Sequence, residues 1–166
     1  MTEQRPAFFR FHNGDKAPLP FDATEYEARL AGLRADMAAQ GIDATVLTSM
    51  HNVAYHSGFL YCSFGRPYGC VVTATDCVTI GAGIDAGQPW RRCHGDALTY
   101  TDWARDNFWR AVASVTGTHK VIGHEADHLT LEAMARLEQH LKPLAVENVA
   151  PAAMARRMVK SPAEIA

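Results

Sequence analysis

The run Phe59-Leu60-Tyr61-Cys62-Ser63-Phe64-Gly65-Arg66-Pro67 sets an arginine beside an aromatic side chain. Gly65 and Pro67 flank Arg66 and mark this run as a constrained loop. A guanidinium is a planar fork that stays charged, and it matches a carboxylate through two parallel N–H···O bonds. Phe64 adds an apolar or cation-facing wall. The chemistry this pair can do is to clamp a small ligand that carries a carboxylate. Cys62 lies on the same run, but no base that could activate it is identifiable, so we read no nucleophile there.

His124-Glu125-Ala126-Asp127-His128 matches H-E-x-x-H, a pattern that binds Zn2+ when it lies on a helix. Only a helix places residues four apart on one face, where both imidazoles reach one metal. Here Lys120-Val121-Ile122-Gly123 leads into His124 as a strand, and the next helix opens near Thr130. We therefore expect a loop with solvated histidines and no metal site.

Three other segments carry groups that could contact a ligand. Asn13-Gly14-Asp15-Lys16 precedes the first helix. Ile84-Asp85-Ala86-Gly87-Gln88-Pro89-Trp90-Arg91-Arg92 reads as a Gly/Pro loop with one aromatic and two arginines. Tyr100-Thr101-Asp102-Trp103-Ala104-Arg105-Asp106-Asn107 follows a strand. Loops at strand ends are where such contacts cluster. For Trp90, Trp103 and Trp109 the expectation is half-buried core, and for Arg91 and Arg92 surface salt bridges.

The elements that must position these groups alternate along the chain. Asp22 and Glu25 form a capping-box pattern ahead of a helix whose apolar stripe is Tyr26, Leu30, Leu33 and Met37, with Gly41 as its C-cap. Ile42 to Thr48 reads as a buried strand, Asn52 to Leu60 as a short helical turn ending near Gly58. Tyr68–Thr73 and Cys77–Ile80 read as a hairpin, Leu98–Thr101 as a strand. Trp103 to Val115 has helical spacing. Lys120–Gly123 is a strand, and Thr130 opens a helix with Leu131, Met134, Leu137 and Leu141 on one face. Pro143 stops that helix, Leu144–Val146 is a last strand, and Pro151 starts a helix running through Met154, Met158 and Val159 to the C-terminus. The expected fold class is α/β: a mixed β-sheet with helices packed on its faces. We expect a lead-in over 1–21, one domain over 22–158 and a linker start over 159–166.

Composition narrows the rest. With 166 residues, 48% of them hydrophobic, the chain can bury one sizeable core. A formal net charge of -2 gives no electrostatic reason to expect nucleic acid or an anionic membrane. No apolar run approaches the roughly 20 residues that span a bilayer, and residues 1–6 lack the pattern of a signal peptide. A cytoplasmic location is the expectation. Cys62, Cys70, Cys77 and Cys93 have no C-x-x-C pair and read as free thiols.

Taken together, these segments resemble the N-terminal domain of creatinases, the creatine amidinohydrolases of the pita-bread superfamily. The likeness is carried by Phe59 to Pro67, Gly87 to Arg92 and Tyr100 to Trp103. Asn13 to Lys16 and Met158-Val159-Lys160-Ser161-Pro162-Ala163-Glu164 support it, in order along nearly the whole chain. Asn52-Val53-Ala54-Tyr55-x-Ser57-Gly58-Phe59 is shared with prolidase-type enzymes. The resemblance implies a ribonuclease H-like motif and an enzyme that hydrolyses creatine to sarcosine and urea without metal or other cofactor. It implies partnership with a C-terminal catalytic domain and a second subunit, over whose site the N-terminal domain closes. Arg66 would hold the creatine carboxylate and Phe64 would pack against the substrate. The chain stops at Ala166, where the family's catalytic domain would begin, so no catalytic residue is expected in this segment and the isolated chain is expected to be inactive. The alternatives are the N-terminal domain of a prolidase or aminopeptidase-like metallopeptidase, and a non-catalytic binding or assembly module.

Overall fold

The computed structural model describes residues 5–62 and 65–165; Phe64 falls outside them. A seven-stranded sheet organises the described residues, in the order β1-β5-β4-β3-β2-β6-β7. The strands are β1 (Phe8–Phe9), β2 (Ala44–Leu47), β3 (Gly69–Thr73), β4 (Cys77–Ala82), β5 (Asp96–Tyr100), β6 (Val121–His124) and β7 (Ala145–Asn148). β3 pairs antiparallel with both β2 and β4, while β4 with β5, β2 with β6, and β6 with β7 run parallel. Five strands thus point one way, and only β3 and the short edge strand β1 oppose them. The lead-in therefore joins the sheet: Phe8 and Phe9 pair with Tyr100 and Thr99.

Both faces of the sheet are covered, which is why its central strands are apolar at nearly every position. Val46, Val71, Ile80 and Leu98 point to one face. There they pack against α4 (Asn107–Thr116) and α5 (Leu131–Leu141) through Phe108, Val112, Leu137 and Leu141. Leu47, Cys70 and Val72 point to the other face, against α1 (Ala23–Gln40) and α2 (Met50–Ser57). A helix of four residues, α3 (Gln88–Arg91), precedes β5; after β7, α6 (Ala150–Met158) stops at the extended residue Val159 instead of running on to the C-terminus as expected, and a separate turn, α7 (Pro162–Ile165), follows.

The first helix forms as its pattern predicts. The Asp22 carboxylate accepts the Glu25 N–H at 3.0 Å, Gly41 ends the helix at φ 67°, and Tyr26, Leu30, Leu33 and Met37 are buried. The reciprocal half of the capping box is replaced, because the Glu25 carboxylate accepts from Arg29 Nε at 2.8 Å and Ser161 Oγ at 3.0 Å. Arg29 is buried as well: its guanidinium lies 4.3 Å from the ring centres of both Phe21 and Tyr55, and it pairs with Glu164. An arginine inside the apolar stripe thus ties the C-terminal segment to α1.

Three expectations need correction. Leu131 is 93% exposed, since it sits at the first position of α5 and points off the face that Leu137 and Leu141 bury. Gly83–Asp85 and Gln88–Arg91 are short helical turns, with Pro89 in the first turn of α3, where its missing N–H costs nothing. Helix α4 starts at Asn107 rather than Trp103: Asn107 Nδ2 donates to the Thr101 carbonyl at 2.9 Å and closes a turn ahead of the helix.

Candidate functional site

The carboxyl ends of the parallel strands share one edge of the sheet, the edge where open α/β sheets present their loops. Thr48 and Ser49 follow β2 there, Asp85 follows β4, Asp102 follows β5, and Glu125 to His128 follow β6. Because β3 runs the other way, the described residues just before it, Gly65 to Tyr68, reach the same edge. Topology alone thus gathers the expected segments.

The approach to Arg66 is built from aromatic residues. Gly58 ends α2 at φ 75°, and a Cβ there would meet the Tyr26 hydroxyl at 2.9 Å. Phe59 is fully buried; its ring stacks on Tyr61 with centroids 5.4 Å apart and meets Tyr68 edge-on at 6.3 Å. Tyr61 Oη donates to Asp85 Oδ1 at 2.5 Å, and Tyr68 Oη donates to the Tyr61 carbonyl at 3.0 Å. Beyond Arg66, Tyr100 Oη donates to the Pro67 carbonyl at 2.8 Å. The hydrogen bond to Asp85 pushes the Tyr61 phenol up to about 12, and burial pushes Tyr68 up to about 12 and Tyr100 still further. These phenols therefore stay protonated donors at neutral pH.

Arg66 itself follows Gly65, which takes φ 85°, and its Nε reaches Asp102 Oδ1 at 3.3 Å. The two side chains are 45% and 42% exposed. The arginine is thus held half exposed at the rim of the sheet, with the Pro67 carbonyl that follows it fixed by Tyr100. Next to the loop lies a cavity of about 300 Å3 walled by Tyr61, Tyr68, Phe108, Trp109 and Leu129. Cys62 lies on its lining, as do Thr48 and His128, whose Oγ1 and Nδ1 are 2.9 Å apart.

The H-E-x-x-H residues divide between a strand and a turn. His124 ends β6 and is buried, which corrects the expectation that both histidines are solvated; His128 is exposed. Burial lowers the His124 pKa, against the opposing pull of Glu125. Glu125 is 1% exposed, and its carboxylate accepts the N–H groups of Thr48 (2.5 Å) and Ser49 (2.8 Å), the Ser49 hydroxyl and Asn52 Nδ2 (2.6 Å). It fills the anion-accepting N-terminus of α2. Among the described residues, no three His, Cys, Asp or Glu side chains converge as metal ligands would.

The Asn13–Lys16 and Gln88–Arg92 segments meet each other. Trp90 Nε1 donates to the Gly14 carbonyl at 2.9 Å, Lys16 Nζ sits 3.8 Å from the Trp90 ring centre, and His12 stacks on the same ring. Arg91 and Arg92 donate to the neutral acceptors Asn13 O and Gln88 Oε1, rather than to carboxylates as expected. Of the tryptophans, Trp109 is buried and Trp90 partly so, while Trp103 is 49% exposed and donates to the Pro6 carbonyl. Cys70, Cys77 and Cys93 are buried free thiols and Cys62 is exposed. Sequence reasoning marked the segments holding Asp85 and Asp102 without giving either a partner. It met Glu125 only as part of H-E-x-x-H and had no signal for its partners, which lie about 75 residues away.

A helix-flanked mixed sheet with a loop-bearing rim at its carboxyl edge defines the class: an α/β domain of the kind that presents ligand-facing loops. The chain belongs to the Creatinase/Prolidase N-terminal domain family, which matches residues 29–159. It is 42% identical over 158 residues to the creatinase of Bacillus sp. (strain B-0618), covering 93% of this chain and 38% of that protein. The chain thus spans well under half the length of that relative. Among solved structures it resembles dipeptidase PepE from Mycobacterium ulcerans, with a TM-score of 0.73 and 20% identity over 87% of this chain and 40% of that one. It also resembles the Creatinase/Prolidase N-terminal domain of an X-Pro dipeptidase from Streptococcus pyogenes, with a TM-score of 0.68 and 18% identity over 77% and 98%. At those identities the two structures show a shared fold.

Proposed function

We propose that this domain is the substrate-closing and dimerisation domain of a cytoplasmic, creatinase-like amidinohydrolase, with Arg66 as its contact to the creatine carboxylate. In the reaction, water adds to the guanidinium carbon, the C–N bond to the sarcosine nitrogen breaks, and that nitrogen takes a proton; the products are sarcosine and urea. The groups that handle water and proton belong, in this reading, to a C-terminal catalytic domain, with the rim closing over that domain of a second subunit. Phe64 would face the substrate beside Arg66.

The observation that carries the reading is the presentation of Arg66: a half-exposed guanidinium at the carboxyl edge, on backbone tied down by Tyr61–Asp85 and Tyr100–Pro67. Such preorganisation lowers the ordering cost of binding. The creatinase of Bacillus sp. matches at 42% identity over nearly the whole chain, which favours this chemistry over peptide hydrolysis. The test is an assay of the enzyme that carries this domain together with its catalytic half. Urea release from creatine supports the proposal; cleavage of an X-Pro dipeptide without urea release contradicts it.

A further inference from the structure

We infer that Asp102 is a resident competitor at the carboxylate site: it occupies Arg66 in the empty domain and is displaced when the substrate carboxylate arrives. The inference rests on the reading of Arg66 as a carboxylate binder and adds a second residue that sets its affinity. The turn after β5 does two jobs. Tyr100 fixes the backbone next to Arg66 by donating to the Pro67 carbonyl at 2.8 Å, and two residues later Asp102 meets the Arg66 side chain at 3.3 Å. The guanidinium is thus already in contact with a carboxylate, the functional group proposed for its ligand.

Exchange between the two carboxylates is inexpensive. Asp102 is 42% exposed, so on release it returns to water with little desolvation to undo. Arg66 Nε and Asp102 Oδ1 are 3.3 Å apart, at the long end for a hydrogen bond. Half-exposed pairs of this kind contribute little to stability. An incoming carboxylate that takes the fork with better geometry and less water wins the exchange. Asp102 meanwhile withholds Arg66 from weaker anions. Removing its charge acts twice in one direction: it takes away one carboxylate rival and raises the local positive potential.

The test uses the enzyme carrying this domain joined to its catalytic half, with creatine as the probe. Asp102→Asn is expected to lower KM for creatine about two- to fivefold with kcat unchanged, the range set by half-exposed ion pairs. Asp102→Glu is expected to keep KM within about twofold of the parent. Glu138→Gln, an equal change of charge on the exposed side of α5, is expected to leave KM alone. Asp102 lies on an exposed turn, so thermal melts of the variants should match the parent. An unchanged or raised KM in Asp102→Asn, with Arg66→Ala still raising KM, overturns the competitor role alone. An equal fall in KM for Glu138→Gln overturns it in favour of a general charge effect. If Arg66→Ala leaves KM unchanged, the underlying carboxylate assignment fails and this inference falls with it.

Discussion

Glu125 and Asn52, 73 positions apart in the chain, meet at 2.6 Å in the interior of the domain. The contact makes the Glu of an H-E-x-x-H sequence a fastening for the first turn of α2, the helix that leads into the Tyr61–Pro67 loop. The carboxylate is almost wholly removed from water and takes four donors, which offset its desolvation.

Glu125→Ala leaves those donors without an acceptor. Loss of charge-assisted bonds to buried groups predicts a destabilisation of about 3 kcal/mol or more, and Glu125→Gln a smaller one. Urea unfolding followed by circular dichroism measures it. A Glu125→Ala midpoint within error of the parent would remove the fastening role.

His56 predicts the acid limb of stability. Its ring is fully buried, neither nitrogen has a hydrogen-bond partner among the described residues, and burial lowers its pKa to about 3. The unfolded chain takes up this proton near pH 6.5, the folded domain only near pH 3. Stability is therefore full above about pH 6.5 and falls as pH drops toward 3, by about 1.4 kcal/mol per unit from this group. His56→Leu should flatten that limb in chemical denaturation run between pH 7 and pH 4. An unchanged slope would show that other groups govern acid unfolding.

The tyrosines predict the alkaline limb. All five are held above the usual phenol value, four mainly by burial and Tyr61 mainly by its hydrogen bond to Asp85. With folded values above unfolded ones, their contribution is complete below about pH 10 and is lost as pH rises from there toward 12. Tyrosinate absorbance at 295 nm should therefore rise together with loss of the far-ultraviolet dichroism. Ionisation of Tyr61, Tyr68 or Tyr100 near pH 10 in a folded domain, assigned with single Tyr→Phe variants, would contradict the hydrogen bonds placed on the loop.

The sequence made the elements legible where local chemistry decides them. Asp22 and Gly41 bound α1, Gly58 ends α2, Thr130 caps α5, and short, nearly continuous apolar runs mark the central strands. What it hid depends on contacts distant in the chain. Phe8–Phe9 becomes a strand only because β5 offers an unpaired edge. Arg29 is buried by a cage of Phe21, Tyr55 and two carboxylates that no helical pattern announces. At the rim, residue types picked out Arg66. The gathering of Asp85 and Asp102 around its loop required the strand order, in which β3 alone among the central strands runs backward. Phe64 was named beside Arg66 on the same grounds, and its place at the site remains part of the proposal.

The central claim is that Arg66 binds the carboxylate of the substrate, and steady-state kinetics of Arg66→Ala in the enzyme carrying this domain and its catalytic half tests it most directly. A charge-assisted bond of about 1.5–3 kcal/mol predicts a rise in KM for creatine of roughly ten- to a hundredfold, with a melting temperature close to the parent's because the side chain is half exposed. An unchanged KM in the folded variant would contradict the account.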